Sequence, residues 1–122
     1  MATPRTSITC SFRFEAAHHL AWHPGKCRNL HGHSYRLDVT VSGPLDSNGV
    51  VMDFDTLHRL VEQEIIDQWD HRDLNQVIDN PTAELLAHRA WELLSAAGVS
   101  LSALRLWETT DSSVELTAEA GG

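Results

Sequence analysis

Three histidines of this 122-residue sequence have a spacing that suits a metal ion. His31 and His33 flank a glycine, so on a β-strand their side chains project from the same face. His18 continues the inner face of the preceding predicted strand, and hairpin-like pairing would bring it beside the other two. Three neutral imidazoles that leave a fourth position vacant are typical of a catalytic zinc site. The alternative is a set of unrelated polar histidines, because the sequence contains eight.

Cys27 and the pair Asp70-His71 are candidates for proton transfer. A nearby divalent cation and two adjacent basic residues would favour the thiolate of Cys27, which could then act as a base or nucleophile. The alternatives for Cys27 are an inert side chain or a fourth metal ligand that closes a structural site. Asp70 could fix the tautomer of His71, or both could belong to a polar loop at a helix end. The three residues can form one base only if the fold brings their loops together.

Glu108 falls on the same face of a predicted strand as Leu104 and Leu106. An inward carboxylate without a partner carries a desolvation cost. One suitable partner is the guanidine-like edge of a heterocycle, which can donate two parallel hydrogen bonds to a carboxylate. The alternative is that Glu108 lies beyond the core and is solvated.

The elements that must position these residues are predicted in the order ββααββ. Alternation of apolar and polar residues predicts one strand from Ser7 to His18 and a second that runs from His31 to Val41. Helical spacing predicts a helix that is capped by Asp53 and ends near Trp69.

A second helix is predicted to start near Asn80-Pro81 and to end at Gly98. Two short strands follow, one ending at Glu108 and one around Leu116. A four-stranded antiparallel sheet with both helices on one face would bury every apolar stripe, which places the chain in the α+β class.

Size and charge exclude several classes of protein. Residues 7–122 are predicted to form one domain after a loose polar tail at residues 1–6. Nine Lys and Arg against seventeen Asp and Glu give a net charge of -8, which argues against a nucleic-acid binder but allows a small anionic substrate. With two cysteines, no bilayer-spanning apolar run and no signal-peptide pattern, the sequence predicts a cytoplasmic protein without a membrane partner.

Taken together, these residues resemble those of the 6-pyruvoyltetrahydropterin synthase superfamily. The similarity follows the chain in order through the stretches FEAAH (14–18), CRNLHGH (27–33), MDF (52–54), LN (74–75), NPTAE (80–84) and the segment around Glu108. Three residues separate Cys27 from the His-Gly-His element, which is similar to the bacterial 6-carboxy-5,6,7,8-tetrahydropterin synthases of the 7-deazaguanine (queuosine) pathway. The resemblance implies that 7,8-dihydroneopterin triphosphate is converted to 6-carboxytetrahydropterin, with release of acetaldehyde and triphosphate.

The same resemblance implies a tunnelling fold (T-fold) whose subunits assemble into a barrel, commonly a hexamer made of two trimers. Carried over by position, the ligands of a Zn²⁺ cofactor are His18, His31 and His33. The residues of proton transfer are Cys27, Asp70 and His71. The contacts to the pterin ring are Glu108, as its anchor, and Thr82. Three alternatives stay open: formation of 6-pyruvoyltetrahydropterin, an aldolase-like cleavage of dihydroneopterin, and a zinc-binding protein without enzymatic activity.

Overall fold

A computed structural model describes residues 2–119, which form five strands and two helices. The strands are β1 (Thr6–His18), β2 (His31–Gly43), β3 (Arg72–Asp73), β4 (Leu101–Thr109) and β5 (Ser112–Thr117). Helix α1 covers residues 54–69 as an α-helical part (Phe54–Val61), a π-helical turn (Glu62–Ile66) and a last α-helical turn (Asp67–Trp69). Helix α2 is Ala83–Ala96, and short 3-10 turns lie at Lys26–Arg28 and Leu74–Gln76. Met1, the first residue of the predicted tail, lies outside the described residues. So do residues 120–122, the last three of the predicted domain.

The hairpin of β1 and β2 confirms the strands predicted from alternation. Their antiparallel register runs without a break from Thr6 opposite Gly43 to His18 opposite His31. Inward residues such as Phe14 and Leu37 are buried, whereas their neighbours along each strand are exposed or half-buried. The hairpin therefore places two predicted metal ligands directly across from each other.

The sheet has the order β3-β1-β2-β4-β5, so the prediction of four antiparallel strands is wrong in one element. The additional strand β3 pairs with β1 in parallel, at Ala16–Arg72 and Ala17–Asp73. The chain that leaves α1 is fastened there because the Asp70 carboxylate accepts a hydrogen bond from the Glu15 amide at 2.9 Å. All other pairs of neighbouring strands are antiparallel, and the predicted α+β class is confirmed.

Both helices pack on one face of the sheet. Their buried side chains join the inward residues of the strands in one hydrophobic cluster, to which α1 contributes Leu57 and Trp69 and α2 contributes Leu86 and Leu94. The opposite face is polar, and hydroxyl groups hydrogen-bond across β1 and β2 there. Within residues 2–119, neither helix has the length and apolar character needed to cross a bilayer.

The start of α1 is confirmed and the start of α2 is not. The Asp53 carboxylate accepts a hydrogen bond from the Asp55 amide at 2.7 Å, which caps α1 as predicted. Helix α2 is capped two residues later than Asn80, by Thr82, whose hydroxyl accepts from the Leu85 amide at 3.1 Å. Gly98, with φ of +92°, follows the end of α2 in the left-handed conformation that favours glycine.

Candidate active site

The three predicted ligands meet at one end of the β1–β2 hairpin. The donor atoms of His18, His31 and His33 all lie within 4.8 Å of one another, and the Nε2 atoms of His18 and His31 are 3.1 Å apart. His18 is only 1% exposed, while the other two are half-buried. The predicted convergence of three imidazoles is confirmed, and the cluster can hold a metal ion.

Hydrogen bonds on the far side of two rings determine which nitrogens are available. His18 Nδ1 lies 2.8 Å from the Pro81 carbonyl oxygen, and His31 Nδ1 lies 2.8 Å from that of Asn29. A carbonyl oxygen only accepts hydrogen bonds, so each Nδ1 carries the proton and each Nε2 presents a lone pair. Two lone pairs that face each other at 3.1 Å repel unless a proton or a metal ion lies between or beside them. This outer hydrogen bonding is the arrangement that metal-bound histidines have.

His33 supplies a third unsatisfied nitrogen. Its Nε2 atom is buried and has no hydrogen-bond partner. The Glu108 carboxylate is 3.5 Å away, which does not make a hydrogen bond and would be an ion pair only with a protonated ring. Burial lowers the pKa of His33; the charge of Glu108 opposes this shift, and the two other imidazoles lower the pKa further. A neutral ring with an unpaired buried nitrogen fits a metal ligand.

Glu108 lies beside the histidine cluster, near the end of β4. Its side chain is 29% exposed, so it is not the fully solvated group of the alternative interpretation. Tyr35 is buried beneath the cluster, and burial together with the charge of Glu108 raises the pKa of the Tyr35 hydroxyl, which stays neutral. Glu108 is thus a partly exposed carboxylate next to the histidine cluster.

Cys27 lies in the loop of residues 19–30 that joins two of the histidine ligands. It is a free, half-buried cysteine in the 3-10 turn, and its carbonyl oxygen accepts from the Leu20 amide at 2.8 Å. Among the side chains of residues 2–119, the group with metal-binding geometry contains the three histidines and not Cys27. This composition weighs against a structural site closed by the thiolate.

Asp70 and His71 form a contact at the outer edge of β1. His71 Nδ1 lies 3.0 Å from Asp70 Oδ1, and the His71 side chain is 78% exposed. The backbone of His71 has φ of +58° and is held because its amide donates to the Glu15 carbonyl. The hydrogen bond from the Glu15 amide is the main cause that lowers the pKa of Asp70, and the contact with His71 adds to it. Asp70 is therefore an anionic partner for the imidazole.

The structure does not unite all the predicted proton-transfer residues within this chain. In residues 2–119, no side-chain hydrogen bond joins Cys27 to Asp70 or His71. A depression of about 520 Å³ at the edge of β1 is lined by His71 with residues of the polar sheet face, such as Glu15 and Ser34, and it extends to His33. His71 thus faces a surface that is largely separate from the Cys27 loop.

Comparison with known proteins shows the family of this chain. The model of a family described as 6-pyruvoyl tetrahydropterin synthase matches residues 7–119. The chain belongs to the 6-pyruvoyl tetrahydropterin synthase family. A solved 6-pyruvoyl tetrahydropterin synthase of Caenorhabditis elegans has a similar fold, with a TM-score of 0.83, 25% identity and coverage of 98% of this chain and 99% of that one.

Two curated members of the family are named for different reactions. The 6-carboxy-5,6,7,8-tetrahydropterin synthase of Haemophilus influenzae is 36% identical over 135 residues, covering 88% of this chain and 96% of its own. The dihydroneopterin monophosphate aldolase of Pyrococcus furiosus is 39% identical over 106 residues, covering 84% of this chain and 90% of its own. Similarity at this level shows the family and leaves the reaction to be argued from the site.

Sequence reasoning missed the residues that orient the ligands in this family member. The carbonyl groups of Asn29 and Pro81 fix the two tautomers, and a backbone carbonyl leaves no trace in residue type. Thr82, predicted to lie beside the pterin ring, caps α2 and directly follows Pro81. The available signal was that Asn29 and Pro81 both lie in stretches that carry the family resemblance.

Proposed function

We propose that the protein is a zinc-dependent 6-carboxy-5,6,7,8-tetrahydropterin synthase that acts on 7,8-dihydroneopterin triphosphate. The observation that carries the proposal is the cluster of three imidazoles, of which two present fixed Nε2 lone pairs 3.1 Å apart. Neutral imidazoles are common zinc ligands, and a site with three of them keeps a position for substrate. The similarity to the Haemophilus influenzae enzyme, over most of both chains, supports this reaction.

The products define the chemistry that the site must perform. Release of acetaldehyde requires cleavage of a carbon–carbon bond in the side chain, and release of triphosphate requires cleavage of a carbon–oxygen bond. Both steps need protons to be moved at the side chain. Zinc would act as a Lewis acid on a side-chain oxygen of the substrate.

The residues around the histidines would bind the substrate and move its protons. Glu108 would accept two hydrogen bonds from the guanidine-like edge of the pterin. Because Glu108 lies 3.5 Å from His33, the pterin ring and the side chain of the substrate would be held at neighbouring points of the site. Holding the substrate in this way lowers the entropic part of the activation barrier. Cys27 would transfer protons at the side chain, assisted by His71 in the tautomer that Asp70 fixes. Thr82 would lie beside the pterin ring.

We propose further that the protein is a cytoplasmic homo-oligomer, a hexamer of two trimers, in 7-deazaguanine biosynthesis. An assembly would allow His71 of one subunit to serve the histidine cluster of another. The placement of His71 at the edge of β1, apart from Cys27, supports this arrangement.

The decisive experiment is to incubate the zinc-loaded protein with 7,8-dihydroneopterin triphosphate and to identify the products by mass spectrometry. We expect 6-carboxytetrahydropterin together with acetaldehyde. A product that keeps the whole carbon side chain and loses only triphosphate would assign 6-pyruvoyltetrahydropterin formation instead. Cleavage to a 6-hydroxymethyl pterin would assign the aldolase reaction, which the similarity to the Pyrococcus furiosus protein makes the second candidate. An unchanged substrate would favour a zinc-binding protein without enzymatic activity.

A further inference from the structure

Asn75 contacts His19, the residue that follows the proposed metal ligand His18. Its side-chain Oδ1 accepts from the His19 amide at 2.8 Å, and its Nδ2 donates to the His19 carbonyl at 2.9 Å. This pair of hydrogen bonds is the one that a neighbouring strand would make with His19. Strand β1 ends at His18, so Asn75 continues the pairing of this edge at the first residue after the strand, two positions beyond the last pair with β3.

Asn75 is itself held in place. Its amide donates to the Asp73 carboxylate at 3.0 Å, which forms the cap of the 3-10 turn. Its side chain is half-buried, so both polar groups of His19 are satisfied largely away from water. Leu74-Asn75 is also one of the stretches that carry the family resemblance.

Two further hydrogen bonds connect the 75–81 segment, which leads from Asn75 to Pro81, with the metal-binding end of the hairpin. The Pro81 carbonyl accepts from His18 Nδ1 at 2.8 Å and so selects the tautomer of that ligand. The Asn80 side chain accepts from Trp22 Nε1 at 2.8 Å, farther along the loop that carries Cys27. The segment therefore holds the backbone after His18 at one end and its imidazole at the other.

We propose that Asn75 is a positioning residue for the metal centre and that it sets the affinity of the site for zinc. Asn75 fixes the backbone at His19 and thereby keeps the His18 ring against Pro81. The Nε2 atom of His18 is then directed at the other two histidines already in the metal-free protein. The inference rests on the proposed function, because it takes the three histidines as a zinc centre. Thermodynamic linkage makes this coupling reciprocal. If an ordered 75–81 segment raises the affinity for zinc, bound zinc should in turn stabilise the 75–81 segment.

The test compares Asn75→Ala and Asn75→Asp with the control Asn80→Ala in the full-length protein. Asn75→Ala removes both hydrogen bonds to His19, and Asn75→Asp keeps the shape but places a carboxylate against the His19 carbonyl. The control removes the other side-chain hydrogen bond between the same segment and the same loop. Competition with a chromophoric chelator should show zinc dissociation constants raised about 10- to 100-fold in both Asn75 variants and nearly unchanged in the control.

A second measurement separates positioning from general support of the fold. Zinc should slow amide hydrogen exchange of the wild type in residues 19–24 and 75–82, and this protection should be lost in Asn75→Asp. If Asn75→Ala does not fold, Asn75→Asp and the wild-type exchange data still decide the question. Zinc affinities equal to wild type, or zinc-independent exchange in both segments, would overturn the inference and leave the proposed function standing. A wild type that binds no zinc would overturn both.

Discussion

At the scale of single residues, the chemistry of the site depends on which ring nitrogens are already occupied. Backbone carbonyls accept hydrogen bonds from Nδ1 of His18 and His31, so the Nε2 atoms are the ring nitrogens that can bind a metal ion or a proton. Cys27 shares the loop between these ligands but stays outside their group. Metal binding and proton transfer can therefore be separated by substitution.

Cys27→Ala should keep zinc and lose turnover. Because the thiol is proposed to transfer protons and not to bind metal, we expect kcat to fall about 10²- to 10⁴-fold while the zinc content by elemental analysis is unchanged. The matched control is Cys10→Ala, which alters the buried cysteine of the core and should retain activity. A Cys27→Ala protein that has lost its zinc would instead support a structural site closed by sulfur.

Glu108→Gln should weaken pterin binding far more than zinc binding. The amide keeps the shape of the side chain but replaces one acceptor with a donor, so it cannot accept both hydrogen bonds of a guanidine-like edge. The expected loss is about 10-fold or more in affinity for a pterin, measured by fluorescence titration of the zinc-loaded protein. Glu115→Gln, which alters an exposed carboxylate paired with Arg105, is the control. Equal pterin affinity in wild type and Glu108→Gln would end the assignment.

At the scale of elements, the start of α2 influences the site because Thr82 caps the helix directly after Pro81. Thr82→Ala should lower the free energy of unfolding by about 1 kcal/mol, because the Leu85 amide loses its acceptor. Thr82→Ser keeps the hydroxyl and should unfold close to the wild-type denaturant concentration. Both variants are measured by urea denaturation of the metal-free protein. If Ser destabilises as much as Ala, the threonine methyl group and not the cap is responsible.

The elements also show what sequence can and cannot predict. The β1–β2 hairpin was predictable because apolar and polar residues alternate along most of both strands, and this alternation also placed the three histidines on one face. The two-residue strand β3 was not, since it has no alternation and depends on a contact of Asp70 with Glu15 across 55 residues. The cap of α2 was misplaced because Asn80 and Thr82 are both good capping residues, and local sequence does not choose between them.

At the scale of the whole molecule, the chain leaves surfaces that suit association. Within residues 2–119, β3 covers only two positions of the outer edge of β1, and β5 pairs on one side alone. Open strand edges readily pair with another chain. Large exposed apolar side chains, Leu45, Val50 and Phe54, lie between β2 and α1 or at the start of α1. These features support the proposed homo-oligomer.

If subunits share active sites, two inactive variants should restore each other. His31→Ala removes a metal ligand but keeps His71, whereas His71→Ala keeps the histidine cluster. Co-expressed in equal amounts, they should give up to about a quarter of wild-type activity, because one interface in four would combine an intact cluster with an intact His71. Pairing His31→Ala with His33→Ala is the control and should stay inactive, since both substitutions damage the same cluster. Native mass spectrometry would verify that the oligomers contain both variants. If such oligomers recover no activity, either His71 serves the histidine cluster of its own subunit or His71 takes no part in the reaction.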